Sequence, residues 1–242
     1  MRVLSVISLF TLLSAPVVAA PVVFDFANLK YSGGINTGFL PTDGIACSGG
    51  DLCSSNIASS LSGDLSFTNG GLTVHAKGSY NGGAFGSRAA VVQDHENGYN
   101  GKLSGKDAIG AGLGVYHKKD DTSDDNITEK EAIWLHFDQN VSLSSVGFRA
   151  EGHNTTSWIA NATFQYSFDN STWTTGLLPK DVGQFALSHT GHDFYFRFGG
   201  GSKADQFYIS SMTVSAVPEP ETYAMLLIGL GLVSFSLRNK KG

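Results

Sequence analysis

Apolar and polar residues alternate along the middle of the chain with a period of two. The pattern recurs at Leu72/Val74/Ala76, Ile133/Leu135/Phe137, Val146/Phe148/Ala150, Phe164/Tyr166/Phe168 and Phe194/Phe196/Phe198. Successive side chains of a strand point to opposite faces, so each run predicts a half-buried antiparallel strand. Val22–Phe26, Ala89–Val92 and Phe207–Val214 predict further strands. No stretch between them holds a 3.6-residue apolar face, although Thr128–Leu135 has room for one helical turn. Ser32–Gly63 and Asn69–Gly114 are rich in Gly, Ser and Asn and read as long loops joining short strands. Many short strands with Gly-rich turns predict an all-β fold, an antiparallel two-sheet β-sandwich of jelly-roll type. The abundant aromatics on these strands are expected to be core.

The two ends do not share this pattern. Met1-Arg2 is followed by an uncharged run from Val3 to Ala20 that closes on Val17-Val18-Ala19-Ala20. Basic, apolar, then small is the order of a secretory signal peptide, with cleavage expected after Ala19. At the other end, Tyr223–Leu237 is uncharged and is followed by Arg238, Lys240 and Lys241. A helix of that length reaches about 22 Å, short of the roughly 30 Å hydrocarbon layer, so it spans marginally with the basic tail as a cytoplasmic stop. Val217-Pro218-Glu219-Pro220 precedes it, and its two prolines cannot donate backbone hydrogen bonds, which keeps the tract extended and open to a processing enzyme.

These features in this order resemble the sorting signal of PEP-CTERM proteins of Gram-negative bacteria: Val217-Pro218-Glu219-Pro220, a short apolar helix with Gly229-Leu230-Gly231, and the basic residues Arg238, Lys240 and Lys241. The resemblance implies that an exosortase in the membrane recognises the Pro-Glu-Pro tract. It also implies removal of the tail and delivery to the cell surface or the exopolysaccharide matrix. An ordinary C-terminal membrane anchor is the simpler reading, and both readings place the intervening domain outside the cytoplasm. The expected organisation is a signal peptide over 1–19, an ectodomain over 20–216 and a sorting signal over 217–242.

Composition matters once the ends are set aside. Residues 20–217 carry 12 Lys and Arg against 19 Asp and Glu, a net charge of −7 compared with −5 for the whole chain. Such a domain lacks the basic stripe of a nucleic-acid binder, and its charge favours solubility and divalent-cation binding. Cys47 and Cys53 flank a Gly-rich turn, and in an oxidising compartment they are expected to form a disulfide that closes a small loop.

The densest polar segment runs Asp120-Asp121-Thr122-Ser123-Asp124-Asp125-Asn126, with Glu131 just beyond it. Its oxygen donors suit Ca²⁺, although the pattern is not an EF-hand, and a solvated loop explains them equally simply. Asp125-Asn126-Ile127 with Glu131 also resembles an acidic stretch that leads into a strand in many PEP-CTERM ectodomains. The segment from Phe164 to Trp173 is similar to the Tyr-Ser-x-Asp-Gly-x-x-Trp hairpin of galactose-binding-like jelly rolls, with Asn170 where Gly usually sits. Trp158 and Trp173 are the candidates for stacking on a sugar ring, against the alternative that both pack in the core.

Seven histidines are scattered, and His95-Glu96 lacks the second His of a zinc-binding His-Glu-x-x-His helix. Neither a Gly-x-Ser-x-Gly elbow nor a phosphate-binding loop occurs in the mature part. The expectation is therefore a non-catalytic exported surface or matrix protein with no certain cofactor. A carbohydrate-binding module assisted by Ca²⁺, with exopolysaccharide as partner, is the alternative, and a polysaccharide-active enzyme is the second alternative.

Overall fold

A computed structural model describes residues 19–47, 49–95, 110–118, 125–218, 225 and 227–233. The expected signal peptide up to residue 18, Asp120, Asp121, Asp124, Glu219, Pro220, Arg238, Lys240 and Lys241 lie outside the described residues. The chain divides into two compact units, one spanning Ala20–Val217 and the other combining Met1–Ala19 with Pro218–Gly242. In the second unit, 227–233 are helical, and Leu227, Ile228, Leu230, Leu232 and Val233 are exposed. Among the described residues no helix is long and apolar enough to cross a membrane.

The first unit is built from strands. Its described residues form β1 (Val22–Asp25), β2 (Leu29–Ser32), β3 (Ile35–Gly38), β4 (Ile45–Ala46), β5 (Leu52–Cys53), β6 (Asp64–Asn69) and β7 (Leu72–Tyr80). These are followed by β8 (Ala90–Asp94), β9 (Gly112–Tyr116), β10 (Glu131–Arg149), β11 (Thr163–Ser167), β12 (Thr174–Leu177), β13 (Gln184–Phe198) and β14 (Tyr208–Ala216). All the ladders are antiparallel. The all-β expectation therefore holds.

The connectivity is more continuous than two separate sheets. Along its first half β10 pairs with β7 on one side and β13 on the other, and along its second half it keeps β13 but exchanges β7 for β14. Register shifts near Leu143/Ser145 and between His136 and Val141 accompany that exchange, as bulges do where a strand bends. One layer thus reads β12-β11-β13-β10-β7-β6, and the other runs from β10 through β14, β9 and β8 to β5 and β4. A twelve-stranded ladder joins the two layers through β10.

One expected loop is corrected, and the room left for a helical turn is not used. Gly33 and Gly34 both have positive φ (60° and 83°), the geometry of a tight two-residue hairpin turn, and they join β2 to β3 inside the expected Ser32–Gly63 loop. Within Asn69–Gly114 the strands expected at Leu72/Val74/Ala76 and Ala89–Val92 are β7 and β8. Thr128–Leu135 forms no helical turn. The Glu131 carboxylate accepts hydrogen bonds from the Thr128 amide and hydroxyl (2.7 and 2.9 Å), and from Glu131 onward the alternation Ile133/Leu135/Phe137 imposes a strand.

Those inward residues meet Val74 and Ala76 of β7, Phe194 and Phe196 of β13, and Leu113 and Val115 of β9 in one apolar core. Phe148 lies within ring contact of Phe164, Phe196 and Phe207 (centroids 4.6, 6.1 and 5.4 Å). Strands β8 and β9 are buried along their whole length, because their other face is covered by a smaller cluster of Cys53, Ile57, Ala90, Val92 and Tyr116. A disulfide joins Cys47 to Cys53 beside that cluster.

Every residue of both clusters lies within 20–217, so this segment carries the contacts that fold it. Fragment 20–217 should unfold in urea as a single transition. Phe148→Ala should cost it about 3–5 kcal/mol, the usual penalty for emptying a buried aromatic site. Cys47→Ser should cost less, about 2 kcal/mol, as a small ring restricts the unfolded chain only modestly.

Candidate functional site

The first layer has an outer face whose composition follows from the alternation. With Ile133, Leu135 and Phe137 inward, Trp134 and His136 of β10 point outward, as do Lys77 of β7 and Tyr195 and Arg197 of β13. The pairing sets these side chains in rows. One row runs Ser79, Ala132, Arg197, Gln165, Thr175 across five strands, and the next runs Lys77, Trp134, Tyr195, Ser167.

The rings of Trp134 and Tyr195 are parallel to within 6° at 5.9 Å, and Phe85 touches both (5.9 and 5.5 Å). The Lys77 ammonium lies 5.1 Å from the Trp134 ring centroid. Asp193 accepts hydrogen bonds from Trp134 Nε1 at 2.9 Å and lies 2.8 Å from His136 Nδ1, which fixes the indole in its plane.

Trp173 joins this face through a turn built on Asp169. The backbone N–H groups of Thr172 and Ser171 donate to its carboxylate at 2.7 and 2.8 Å, and the Ser167 hydroxyl adds a third bond at 2.9 Å. These donors hold the carboxyl well below the usual carboxylate range. Asn170 takes the left-handed conformation, φ 57°, that would otherwise favour Gly. The chain thereby folds back so that Trp173 lies against Arg197, whose guanidinium carbon is 3.9 Å from the indole centroid. Arg197 Nε donates to Gln165 Oε1 at 2.8 Å. A cleft of about 370 Å³ opens here, lined by Phe85, Glu129, Gln165, Asn170, Trp173 and Arg197 among others. That volume is within the range of small-ligand sites.

A second cluster of chemistry is buried in the other layer. Asp51 precedes β5, Asp94 ends β8, and His95 follows it; one ligand atom from each lies within 4.8 Å of the others. His95 donates its backbone N–H to Asp51 Oδ1 at 3.1 Å, and its Nδ1 is 2.7 Å from the same oxygen. His153 Nε2 approaches Asp94 Oδ2 at 2.8 Å, from a tight turn in which His153 has φ 62° and its N–H bonds Ala150 O. Tyr208 donates its hydroxyl to Asp125 at 2.6 Å. Gly114 makes room for this, as a Cβ there would overlap the Asp125 carbonyl.

The groups set one another's charge. Burial works against a charged His95, but hydrogen bonds with Asp51 and Asp94 outweigh it and raise the imidazole to about 9. Asp94 is held below its usual range, burial being outweighed by hydrogen bonds from His153 and His95. Burial, with the charge of Asp94 adding to it, pushes Asp51 up to about 6 and Asp125 up to about 7. Asp51, Asp94 and His95 could ligate a metal, with imidazole in the set favouring a transition ion over Ca²⁺. At neutral pH the protonated imidazole already supplies the positive charge such an ion would bring.

Against this geometry the predicted site residues separate. Trp173 is on the cleft. Trp158 is not a sugar platform: it is 2% exposed in the main core, and its Nε1 donates to Gln206 O at 3.0 Å. The described members of the acidic segment engage different partners. Asp125 is bonded to Tyr208, Asn126 is buried, and Glu131 is buried against Thr128 and His117, whose Nδ1 lies 2.7 Å away. Val217 donates its N–H to Asn140 O at 3.1 Å and closes the ladder immediately before Pro218. Sequence reasoning missed Trp134, Arg197 and Lys77, although the alternation that placed Ile133 and Phe196 inward already pointed their neighbours outward. It also set His95 aside, since its partner Asp51 is 44 residues away.

Comparison with known proteins agrees with the order of features around the prolines. Residues 216–241 match the family model of the PEP-CTERM protein-sorting motif, and the chain carries that motif. No curated protein sequence matches the chain. Among solved structures, CBM32-3 from a family 31 glycoside hydrolase from Clostridium perfringens is similar at 15% identity, over 36% of this chain and 67% of that one, with a TM-score of 0.21.

The buried cluster fixes the sign of a pH dependence. Asp51, Asp125 and His95 all bind protons more tightly folded than unfolded, so their stabilisation is complete at low pH and is lost as pH rises through about 6, 7 and 9. Asp94 acts oppositely, and only below its ordinary value of 3.8. Thermal unfolding of fragment 20–217 should therefore give a higher Tm near about pH 5 than near about pH 9. His95→Gln should flatten the alkaline end of that slope.

Proposed function

We propose that the protein is an exported, non-catalytic component of the cell surface or exopolysaccharide matrix, processed by an exosortase at Val217-Pro218-Glu219-Pro220. The match of residues 216–241 to the sorting motif carries this reading. The position of the motif supports it physically. The last ladder strand ends at Ala216, Val217 makes the final backbone bond to Asn140, and Pro218 has no N–H with which to extend the sheet. The tract a protease must grip thus begins where the folded domain stops. On this reading the precursor is held by the short apolar helix and the Arg238, Lys240 and Lys241 tail before processing.

The outer face of the first layer favours a second element, saccharide binding by a jelly-roll domain. Trp173, Trp134, Tyr195 and Phe85 offer apolar ring faces beside Gln165, Asn170 and Arg197, which offer hydrogen bonds, and this mixture suits a sugar's alternating CH and OH surface. The reading does not call on Ca²⁺, as Asp125 is engaged by Tyr208 and Glu131 by His117 and Thr128.

An epitope tag placed within 20–216 tests the sorting element. With Pro218-Glu219-Pro220 intact, the tag should leave the membrane fraction in a form lacking the tail. Replacement of all three by Ala should leave a tailed, membrane-associated precursor. Identical size and location of the two forms would refute it.

A further inference from the structure

The outer-face strip holds two cations, Arg197 and Lys77, that lack an acidic partner among the described residues. Arg197 lies on Trp173 and gives its Nε–H to Gln165, while its terminal nitrogens make no hydrogen bond or ion pair to a described residue. Lys77 lies over Trp134, with no carboxylate within ion-pair distance among the described residues. The nearest acids are otherwise engaged. Asp64, paired with Lys77 in the ladder, has its carboxylate 3.1 Å from His75, Asp193 holds Trp134 and His136, and the exposed Glu129 faces Lys130 at 3.9 Å.

This is an unusual arrangement for a domain of charge −7, in which 19 carboxylates outnumber 12 cations. Neither cation is disordered on the surface by its position, since each is seated on a ring. The guanidinium is also oriented. Gln165 Oε1 holds its Nε edge, and Gln165 Nε2 is turned toward Thr175 at 3.5 Å, so the amide is fixed in that sense. A planar fork fixed at one edge presents the remaining N–H groups in the geometry that a carboxylate accepts. Partial burial lowers Arg197 from its ordinary value.

The spacing adds a shape. Lys77 on β7 and Arg197 on β13 lie on strands separated by two ladder gaps, about 10 Å at about 4.8 Å per gap. Trp134 on β10 lies between those two strands, Tyr195 is on the same strand as Arg197, and Trp173 lies against the guanidinium. An extended ligand crossing the strands would meet ring faces along its body and a cation toward each end.

We propose that this strip binds an acidic polysaccharide, with Arg197 paired to the carboxylate of a uronic acid unit in the 370 Å³ cleft and Lys77 facing a second anionic unit. The inference rests on the saccharide reading above and names its ligand class. A nucleic acid is the poorer fit, because two cations on an acidic domain do not make the extended basic stripe that a phosphate backbone needs.

Titration calorimetry on the full chain in detergent and on fragment 20–217 tests it. The probes are oligogalacturonate, oligomannuronate and a glucuronate-containing hyaluronan oligomer, each beside its carboxyl-reduced, neutral counterpart. At least one uronide should bind tenfold or more tightly than its neutral counterpart, and added salt should narrow the gap. Arg197→Gln should remove that advantage, Arg197→Lys should retain part of it, and Lys77→Gln should weaken it less. Thermal unfolding of each variant confirms that the sheet is intact. Equal affinity for a uronide and its reduced form, with Arg197→Gln unchanged, would overturn the acidic-ligand inference and leave saccharide binding standing. Absence of binding to all six oligosaccharides would overturn both.

Discussion

The alternation along β10 constrains nearly everything else in the domain. This nineteen-residue strand pairs with β7 and β13 at one end and with β13 and β14 at the other, so its two faces run through both layers. A one-residue slip would turn Ile133, Leu135 and Phe137 to water and bury Trp134 and His136. The core resists that exchange, because the inward set packs in one cluster with the fully buried Phe194, Phe196 and Val74. The outer face is therefore a by-product of core packing in its position, and only its residue identities are free to serve a ligand.

How much of this was readable in advance depends on the range of the signal. Half-buried strands announce themselves through neighbours two residues apart, so β7, β10, β11 and β13 were legible, as was the hairpin that carries Trp173. Strands β2, β3, β4 and β5 were not, because they are short and lean on Gly turns rather than on apolar periodicity. The cleft required knowing which strands are adjacent. Arg197 meets Gln165 across 32 residues and Trp173 across 24, and nothing local in the sequence announces either pairing. Trp158 shows that sequence alone left two readings open. Of its two readings, sugar platform or core, this indole between Ser157 and Ile159 takes the second: its N–H finds Gln206 O and its ring fills the core.

The two polar clusters also divide the electrostatic labour. In the interior, Asp51, Asp94 and His95 satisfy one another at close range, since buried charge is tolerated only with a partner. On the outer face the reverse holds: cations rest on aromatic rings, which soften their charge without neutralising it. A self-contained network is suited to holding a structure together. An uncompensated one is suited to meeting something else.

The disulfide has a consequence that concerns order in time. Asp51 lies within the span that Cys47 and Cys53 close, and its backbone carbonyl accepts the Cys47 N–H. Before the bond forms, the span is an open Gly-rich segment, and a buried carboxylate held there is free to return to water. Closing the ring restricts this segment and so favours the contact of its carboxylate with His95. The redox state of two thiols and the charge state of a buried cluster are in that sense linked at this corner, because one segment carries members of both.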